Sequence, residues 1–407
     1  MAEARWYGIN RALFRVAAVV GVAELGFATV IPLLPLYLKG RLGASATLIG
    51  VVVATFAAVE TVFKTTWGSL ADRIGSRPVI VGGLLLSSTA PVLMTLLRSA
   101  WFFVPLRLID GMGSAALWPA AAAAIADRAE GAERATAMGT LNMCFLTGLA
   151  LGPSLGLFVS GSFGSYTPGF YLASALLLGA AGLALLVFRD GDHRGRLADH
   201  RTRGARAGGF VQAIRSPVFR AMLLVAFVQM IGVGLLAPIL VIYAHDIVRL
   251  SDRWIGSLFL VMVLAVALAS IPGGRLADRA GRSRAVVWGM ALASAGMWLL
   301  PLAGRGNLLV LGVAALLLGG SYAVSSPAWL ALMSETAPRG STGMAMGASE
   351  TAQGAGLIIG PLLGGFLYDH VGPQAPFVGS AVLLTAGTVF AISVLKLRSG
   401  RRCGGAS

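Results

Sequence analysis

The sequence predicts an all-α membrane protein, with twelve transmembrane helices in two six-helix, pseudo-symmetric halves. Three observations predict it. Of the 407 residues, 57% are hydrophobic and 12% are charged, whereas a soluble domain carries about 25% charged residues. Twelve apolar runs are long enough to cross a bilayer, which takes about 20 residues. Motifs of the first half return in the second at offsets of 206 to 208 residues. This composition excludes a soluble enzyme and a disordered chain. Two cysteines, Cys144 and Cys403, are too few for a disulfide framework. One lies in an apolar run and the other in a polar tail, which disfavours a cysteine metal site.

The expected spans are 13–38, 46–67, 78–97, 101–126, 136–160, 168–188, 219–243, 254–274, 285–303, 307–333, 343–367 and 375–396. Backbone groups cannot stay unpaired in lipid, so each run is expected to be helical. The first run holds Glu24 and Pro32 and is too long for a signal-peptide core, so it reads as a retained span. With the N-terminus inside, 24 Lys and Arg fall on the inner side. Six fall in outer loops: Lys39, Arg41, Arg98, Arg249, Arg253 and Arg305. This positive-inside bias predicts a cell-membrane protein with both termini in the cytoplasm. It also accounts for most of the net charge of +15 without nucleic acid. Tyr37, Trp67, Trp101, Tyr243, Trp254 and Tyr368 fall near span ends, as an interfacial aromatic belt would. The expected organisation is a six-helix bundle over 1–188, a basic cytoplasmic linker over 189–216, a second bundle over 217–396 and a cytoplasmic tail over 397–407.

The repeat is explicit. Gly68-Ser-Leu-Ala-Asp72-Arg73-Ile-Gly75-Ser-Arg77 follows span 2, and Gly274-Arg-Leu-Ala-Asp278-Arg279-Ala-Gly281-Arg282-Ser follows span 8. Gly139, Gly148, Gly152, Pro153 and Gly156 of span 5 recur as Gly347, Gly356, Gly360, Pro361 and Gly364 of span 11. Pro119 likewise matches Pro327. Parallel six-span repeats are a transporter architecture, with the binding site between the repeats.

These motifs resemble those of the major facilitator superfamily over nearly the whole chain. Gly68–Arg77 looks like the family's loop 2–3 motif, and Arg107–Gly111 like its span 4 motif with a buried arginine. Gly139–Gly156 is similar to the span 5 signature of antiporters. The Ile31-Pro32-Leu-Leu-Pro35-Leu-Tyr37 end of span 1 is similar to the twelve-span drug:proton antiporters. The resemblance implies that Gly68, Asp72, Arg73, Gly75, Arg77, Asp278 and Arg279 form a conformational latch. By charge, Asp72 could accept from a neighbouring helix N-terminus. The Gly148/Gly152/Gly156 set lies on one helix face and allows close packing, and Pro153 bends the helix. Gly356, Gly360, Pro361 and Gly364 repeat the arrangement. Two readings stay open for it: a gating hinge between the halves, or ordinary packing.

Ionisable residues inside a membrane are functional candidates because each is costly. Glu24 is mid-span and has no basic neighbour in sequence, so it can load a proton or attract a cation. A permanent pair with a basic residue on another helix is its alternative. Glu60 and Lys64 are spaced i,i+4 in the order that favours a salt bridge. That pair is either structural or opened during proton coupling. Arg107 stays charged and needs a partner. Asp110, three residues on, can provide it. The family likeness instead places this arginine near Glu24, where it would sense the proton. Ala315 stands at the position equivalent to Arg107 in the second half, so the charge chemistry concentrates in the first.

Asn142, Gln229 and Gln353 are the few amides within spans, too few for a sugar site. The expected cavity is apolar and aromatic: Glu24, Phe27, Trp118, Asn142, Phe145, Tyr322, Trp329, Glu350 and Gln353. A carboxylate among aromatics suits lipophilic cations. No phosphate-binding loop, catalytic residue set or metal-ligand motif occurs in the sequence. The resemblance thus implies a monomeric, proton-coupled secondary transporter that exports lipophilic compounds, cationic ones among them. Its partners would be a small-molecule substrate, protons and the lipid bilayer, with no nucleic acid. It would need no cofactor beyond a proton gradient and no metal. Export or flipping of an endogenous metabolite or lipid is an alternative. A non-transporting membrane sensor on the same scaffold is another.

Overall fold

Lipid leaves the backbone no partner but itself, so the apolar runs fold as helices. The computed structural model describes residues 5–6, 9–128, 131–188, 216–303, 307–336 and 342–403. In parts of these, among them 276–278 and 394–403, only the backbone is described. The first unit's helices are α1 (Arg11–Leu42), α2 (Ala46–Ile74), α3 (Ser76–Leu96), α4 (Phe103–Ser114), α5 (Leu117–Arg128), α6 (Gly131–Phe163) and α7 (Thr167–Val187). There follow α8 (Pro217–Leu236), α9 (Ile239–Asp246), α10 (Asp252–Ala280), α11 (Arg282–Leu299), α12 (Leu308–Thr336), α13 (Thr342–His370) and α14 (Ala375–Cys403). A short antiparallel pairing of Arg5–Trp6 with Ile9–Asn10 precedes them.

Two expected single spans are broken helices. The run 101–126 divides into α4 and α5 around Ala115 and Ala116. Pro119 has no N–H to offer the preceding turn, and the glycine-rich Gly111–Ser114 stretch yields there. The run 219–243 divides into α8 and α9 at Ala237 and Pro238 for the same reason. Eleven helical segments among the described residues are long and apolar enough to cross a membrane, each broken run counting once. The expected span 343–367 is helical, as the 29-residue α13, but is not among those eleven. Its first half carries Ser349, Glu350, Thr351 and Gln353, which lower its apolar character. The expected tail begins as helix, since α14 continues to Cys403. The expected linker lies outside the described residues, apart from Ser216.

Contacts divide the chain into two compact units, Met1–Ala198 with Ser251–Phe259, and Asp199–Leu250 with Leu260–Ser407. The start of α10 therefore packs with the first unit. There the Ser154 hydroxyl donates to the Gly256 carbonyl at 2.9 Å.

Each unit is organised in the same way. In the first, α1 packs most extensively on α6, and in the second α8 on α13. The glycines explain both contacts. A Cβ on Gly148 would run into the Gly21 carbonyl and the Glu24 Cβ. One on Gly152 would lie 2.5 Å from the Ala28 Cβ, and one on Gly156 2.7 Å from the Thr29 carbonyl oxygen. In α13, a Cβ on Gly356 would lie 2.6 Å from the Phe227 carbonyl oxygen, and one on Gly360 2.6 Å from the Gly234 Cα. Gly364 faces the Leu235 backbone as closely. The glycine faces of spans 5 and 11 are thus spent inside their own units, against spans 1 and 7. The packing reading requires this close contact, and a gating hinge would need a second conformation in addition. Pro153 and Pro361 sit within continuous helices.

The aromatic belt is corrected in part. Trp101 and Trp254 are exposed, at 68% and 54%. Tyr37 and Tyr243 are buried at 1% and 3%. The Tyr37 ring meets Phe170 edge-on at 5.3 Å, and Tyr243 meets Phe377 at 4.6 Å. These pairs are repeats of one another, joining the first and last spans of each unit. Apolar contact outweighs interfacial placement there because the phenol ring can fill the end of a core.

Gly152→Leu should lower the apparent melting temperature of the purified protein by several degrees, since overpacking costs about 1–3 kcal/mol or more. Gly139, whose Cβ would meet nothing within 4 Å, provides the control: Gly139→Leu should melt like the parent. Equal melting of both variants would contradict the packing role.

Candidate coupling and substrate site

The first unit gathers the membrane-embedded charges. α1 carries Glu24 at its middle, and α6 holds that turn through Gly148. α2 presents Phe56, Glu60 and Lys64 at four-residue steps, and such residues share one face. α4 presents Arg107 and Asp110, and packs closely enough that a Cβ on Gly111 would lie 2.9 Å from the Phe56 carbonyl oxygen.

Arg107 is paired with Asp110 through Nη1 and Oδ2, and both side chains are buried, at 10% and 4% exposed. The guanidinium also lies 3.9 Å from the centroid of the Phe56 ring, a favourable placement for a cation. The Ser87 hydroxyl donates to the Asp110 carbonyl at 2.9 Å, tying α4 to α3. The Lys64 ammonium meets the Glu60 Oε1 at 3.0 Å. Glu24 makes no hydrogen bond or ion pair among the described residues. The charges that reach it are Glu60 and Lys64. Of the partners expected for Arg107, Asp110 is the one that pairs with it. The Glu60–Lys64 pair stands on α2, which packs on both α1 and α4.

The aromatic candidates separate by unit. Phe27, Trp118 and Phe145 are half-buried and pack against one core cluster of the first unit. Trp118 and Phe145 touch edge to face at 5.1 Å. Asn142 is exposed one turn before Phe145. In the second unit, the Trp329 indole N–H and the Gln353 amide both donate to the Ser349 hydroxyl, at 3.4 and 3.0 Å. Tyr322 and Glu350 are exposed and stand outside that network. Two residues were missed in sequence. Phe56 was detectable, one helical turn before Glu60. Ser349 carried no signal, because an isolated serine in a helix is ordinary.

The duplicated motif is a helix junction of one residue rather than a loop. α2 ends at Ile74, α3 starts at Ser76, and Gly75 between them has φ 96°. Gly281 joins α10 to α11 with φ 93°. A side chain strongly disfavours that conformation, which accounts for a glycine at both positions. Gly68 faces Pro119. Asp72 and Arg73 are exposed in the last turn of α2. Arg77 reaches the Leu185 carbonyl near the end of α7 at 3.3 Å, where a cation is favoured. Arg279 is exposed, and the Asp278 side chain lies outside the described residues. No group of three or more metal-ligand side chains occurs among the described residues.

The sequence matches the Major Facilitator Superfamily over residues 16–231 and 222–402. It is 26% identical to multidrug resistance protein 2 of Bacillus subtilis (strain 168) over 377 residues, covering 90% of each chain. It is 28% identical to the class C tetracycline resistance protein of Escherichia coli, covering 87% of this chain and 89% of that one. The fold is similar to that of the nucleoside transporter NupG, with a TM-score of 0.78 at 11% identity, covering 95% and 99% of the two chains. It also matches the human organic anion transporter MFSD10, with a TM-score of 0.65 at 20% identity over 94% of this chain and 99% of that one. With the repeated six-helix plan, the duplicated junction motif and a match along nearly the whole length, this chain belongs to the Major Facilitator Superfamily of membrane transporters.

Proposed function

We propose that the protein exports lipophilic compounds, cationic ones among them, across the cell membrane in exchange for protons. It works by alternating access, with both termini in the cytoplasm. The observation that carries this reading is Glu24, a carboxyl at the middle of a membrane helix without a hydrogen bond or ion pair among the described residues. A carboxyl so placed has two ways to lose its charge cost: a proton or a bound cation. One site that takes either, but not both, couples their movements in opposite directions. Phe27, Trp118 and Phe145 supply an apolar, aromatic wall near it, and a cation gains from ring faces. The resistance proteins among the relatives favour the same substrate class. A proton entering from outside protonates Glu24 and releases the substrate outward. Inward opening returns the proton. Each charge moved down the membrane potential gains about 2.3 kcal/mol per 100 mV. In this reading the duplicated junctions at Gly75 and Gly281, with Asp72, Arg73, Arg77, Asp278 and Arg279, hold one conformation against the other.

Asp110 has a separate task here. It neutralises Arg107, so that α4 carries a fixed dipole rather than a bare cation. Glu60 and Lys64 complete the charge set beside Glu24.

Protein in liposomes with an internal pH dye should acidify or alkalinise its lumen when a lipophilic cation is added under an imposed gradient. Glu24→Gln should abolish that proton movement and flatten the pH dependence of transport, while folding is retained. The parent should bind a cationic substrate more tightly as pH rises, because the ionised carboxyl is the cation's partner. Full coupling in folded Glu24→Gln would refute the carrier assignment. Asp110→Asn should instead destabilise the protein, by about 3–5 kcal/mol as for other broken buried pairs. Thermal unfolding in detergent reads this. A variant that melts like the parent would show that Arg107 has another partner.

A further inference from the structure

α1 and α9 end in the same way. The Ala44 N–H donates to the Leu38 carbonyl at 3.0 Å, and the Leu250 N–H to the Ala244 carbonyl at 3.0 Å. The residue before each donor has left-handed backbone, Gly43 with φ 62° and Arg249 with φ 66°. Tyr37 and Tyr243 stand at the same offset of 206 residues, so the two ends are copies of one helix cap. Glycine is the favoured residue there, because a side chain strains that conformation. Arg249 is the one non-glycine residue that adopts it among the described residues. Asp246, three residues earlier, also stands where the first unit has a glycine, Gly40. A cation near a helix C-terminus is favoured, but that needs no strained position: α1 carries Lys39 and Arg41 in its last turn. The second unit thus carries two opposite charges in place of two glycines, one of them against the preference of the backbone.

Both charges line one cleft, wholly within the second unit. It lies where three spans have an end, at Asp246, Leu302 and Ala375. One part, of about 370 Å³, is bordered by Asp246, Arg249 and Gln374. The adjoining part, of about 540 Å³, is bordered by Val371, Pro373 and Val378. Tyr243, Ile247 and Gln374 border both, so the two are continuous. Arg249 makes no hydrogen bond or ion pair among the described residues. The ion-pair partner of Asp246 among them is its neighbour His245, at 2.9 Å. Opposite charges that share a cleft without pairing fit a ligand that carries both signs. Ile247, Val371 and Val378 are exposed, which adds an apolar surface at the level where spans meet headgroups. We propose that this cleft binds a zwitterionic phospholipid, with Arg249 on the phosphate, Asp246 on the headgroup ammonium and an acyl chain over the apolar part. The planar fork of arginine matches phosphate oxygens, and a carboxylate makes strong charge-assisted bonds to an ammonium. A free zwitterion with the same head would leave the apolar part uncovered, which favours the lipid as its source. A lipid so held ties the end of α9 to the turn between α13 and α14.

The test uses the full-length protein, delipidated in a non-ionic detergent, with bound lipid read by native mass spectrometry. Dihexanoylphosphatidylethanolamine should bind. Dihexanoylphosphatidylglycerol, which has the phosphate without the ammonium, should bind severalfold more weakly. Arg249→Gly, which restores the residue of the first unit, should weaken both lipids by roughly tenfold. Without lipid it should melt at or above the parent temperature, because the strained side chain is gone. Arg249→Asn, which tolerates left-handed backbone and lacks the charge, should lose the lipids in the same way. Asp246→Asn should weaken the ethanolamine lipid severalfold and leave the glycerol lipid within about twofold. Equal binding of the two lipids to the parent overturns the proposal, as does unchanged binding of the ethanolamine lipid to Arg249→Gly. Lower melting of both Arg249 variants without lipid would assign the arginine to the fold and overturn the site.

Free phosphoethanolamine separates a lipid from a soluble solute. It should displace the ethanolamine lipid only at far higher concentration, since it leaves the apolar part empty. Equal affinity would overturn the lipid in favour of a soluble zwitterion. Glu24→Gln should bind both lipids like the parent, so the lipid site and the proton-coupled export proposed for Glu24 stand or fall separately.

Discussion

The close contact between α1 and α6 is the constraint on which the first unit depends. Lipid provides no hydrophobic drive to press helices together, so their association relies on surfaces that can approach. Gly148, Gly152 and Gly156 supply that surface, and the α1 backbone at Gly21, Leu25, Ala28 and Thr29 fills it. A side chain at any of the three glycines would push α1 away. The turn of α1 at issue is the one that bears Glu24. Glycines with no chemistry of their own therefore set where the carboxyl stands. The second unit repeats the contact between α8 and α13 with Gly356, Gly360 and Gly364. Its first helix bears no acid at that level. The scaffold is duplicated while the charge is not.

Charge follows a different logic from packing. Each ionised group in lipid requires compensation, and the first unit provides it in graded form. Arg107 is paired with Asp110, the Phe56 ring lies against it, and α3 anchors the pair. Lys64 and Glu60 are partly open. Glu24 has only electrostatic company. The gradient runs from a buried, rigid pair to an uncommitted carboxyl across three adjacent helices. A site that must take up and release charge requires the last kind of group. Fold alone would not identify such a site, since one scaffold serves many substrates.

Membrane spans, repeat and family could all be read in the sequence because each is a one-dimensional property. Hydropathy is a run length, charge bias is a count, and the repeat is an offset. The breaks at Ala115–Ala116 and Ala237–Pro238 were not read from it, although Pro119 and Pro238 were visible. Prolines 32, 35, 91 and 153 lie inside continuous helices, so a proline marks a possible break without deciding one. Tyr37 and Tyr243 were read as interfacial because they stand near span ends, and their burial depended on Phe170 and Phe377, more than 130 residues away in each case.

The sequence by itself determined that this chain is a helical membrane protein, built from a repeated unit and carrying its charges in the first copy. It offered the Glu60–Lys64 and Arg107–Asp110 pairs as well, because helical periodicity brings residues three and four apart together, and the structure forms both. Only the tertiary structure decided that α2, with its Glu60–Lys64 pair, packs on both α1 and α4, and that the glycine stripes face their own unit's first helix. Those are contacts between helices, and their identity depends on helix rotation and depth. Apolar periodicity constrains rotation weakly when lipid and protein interior are equally greasy.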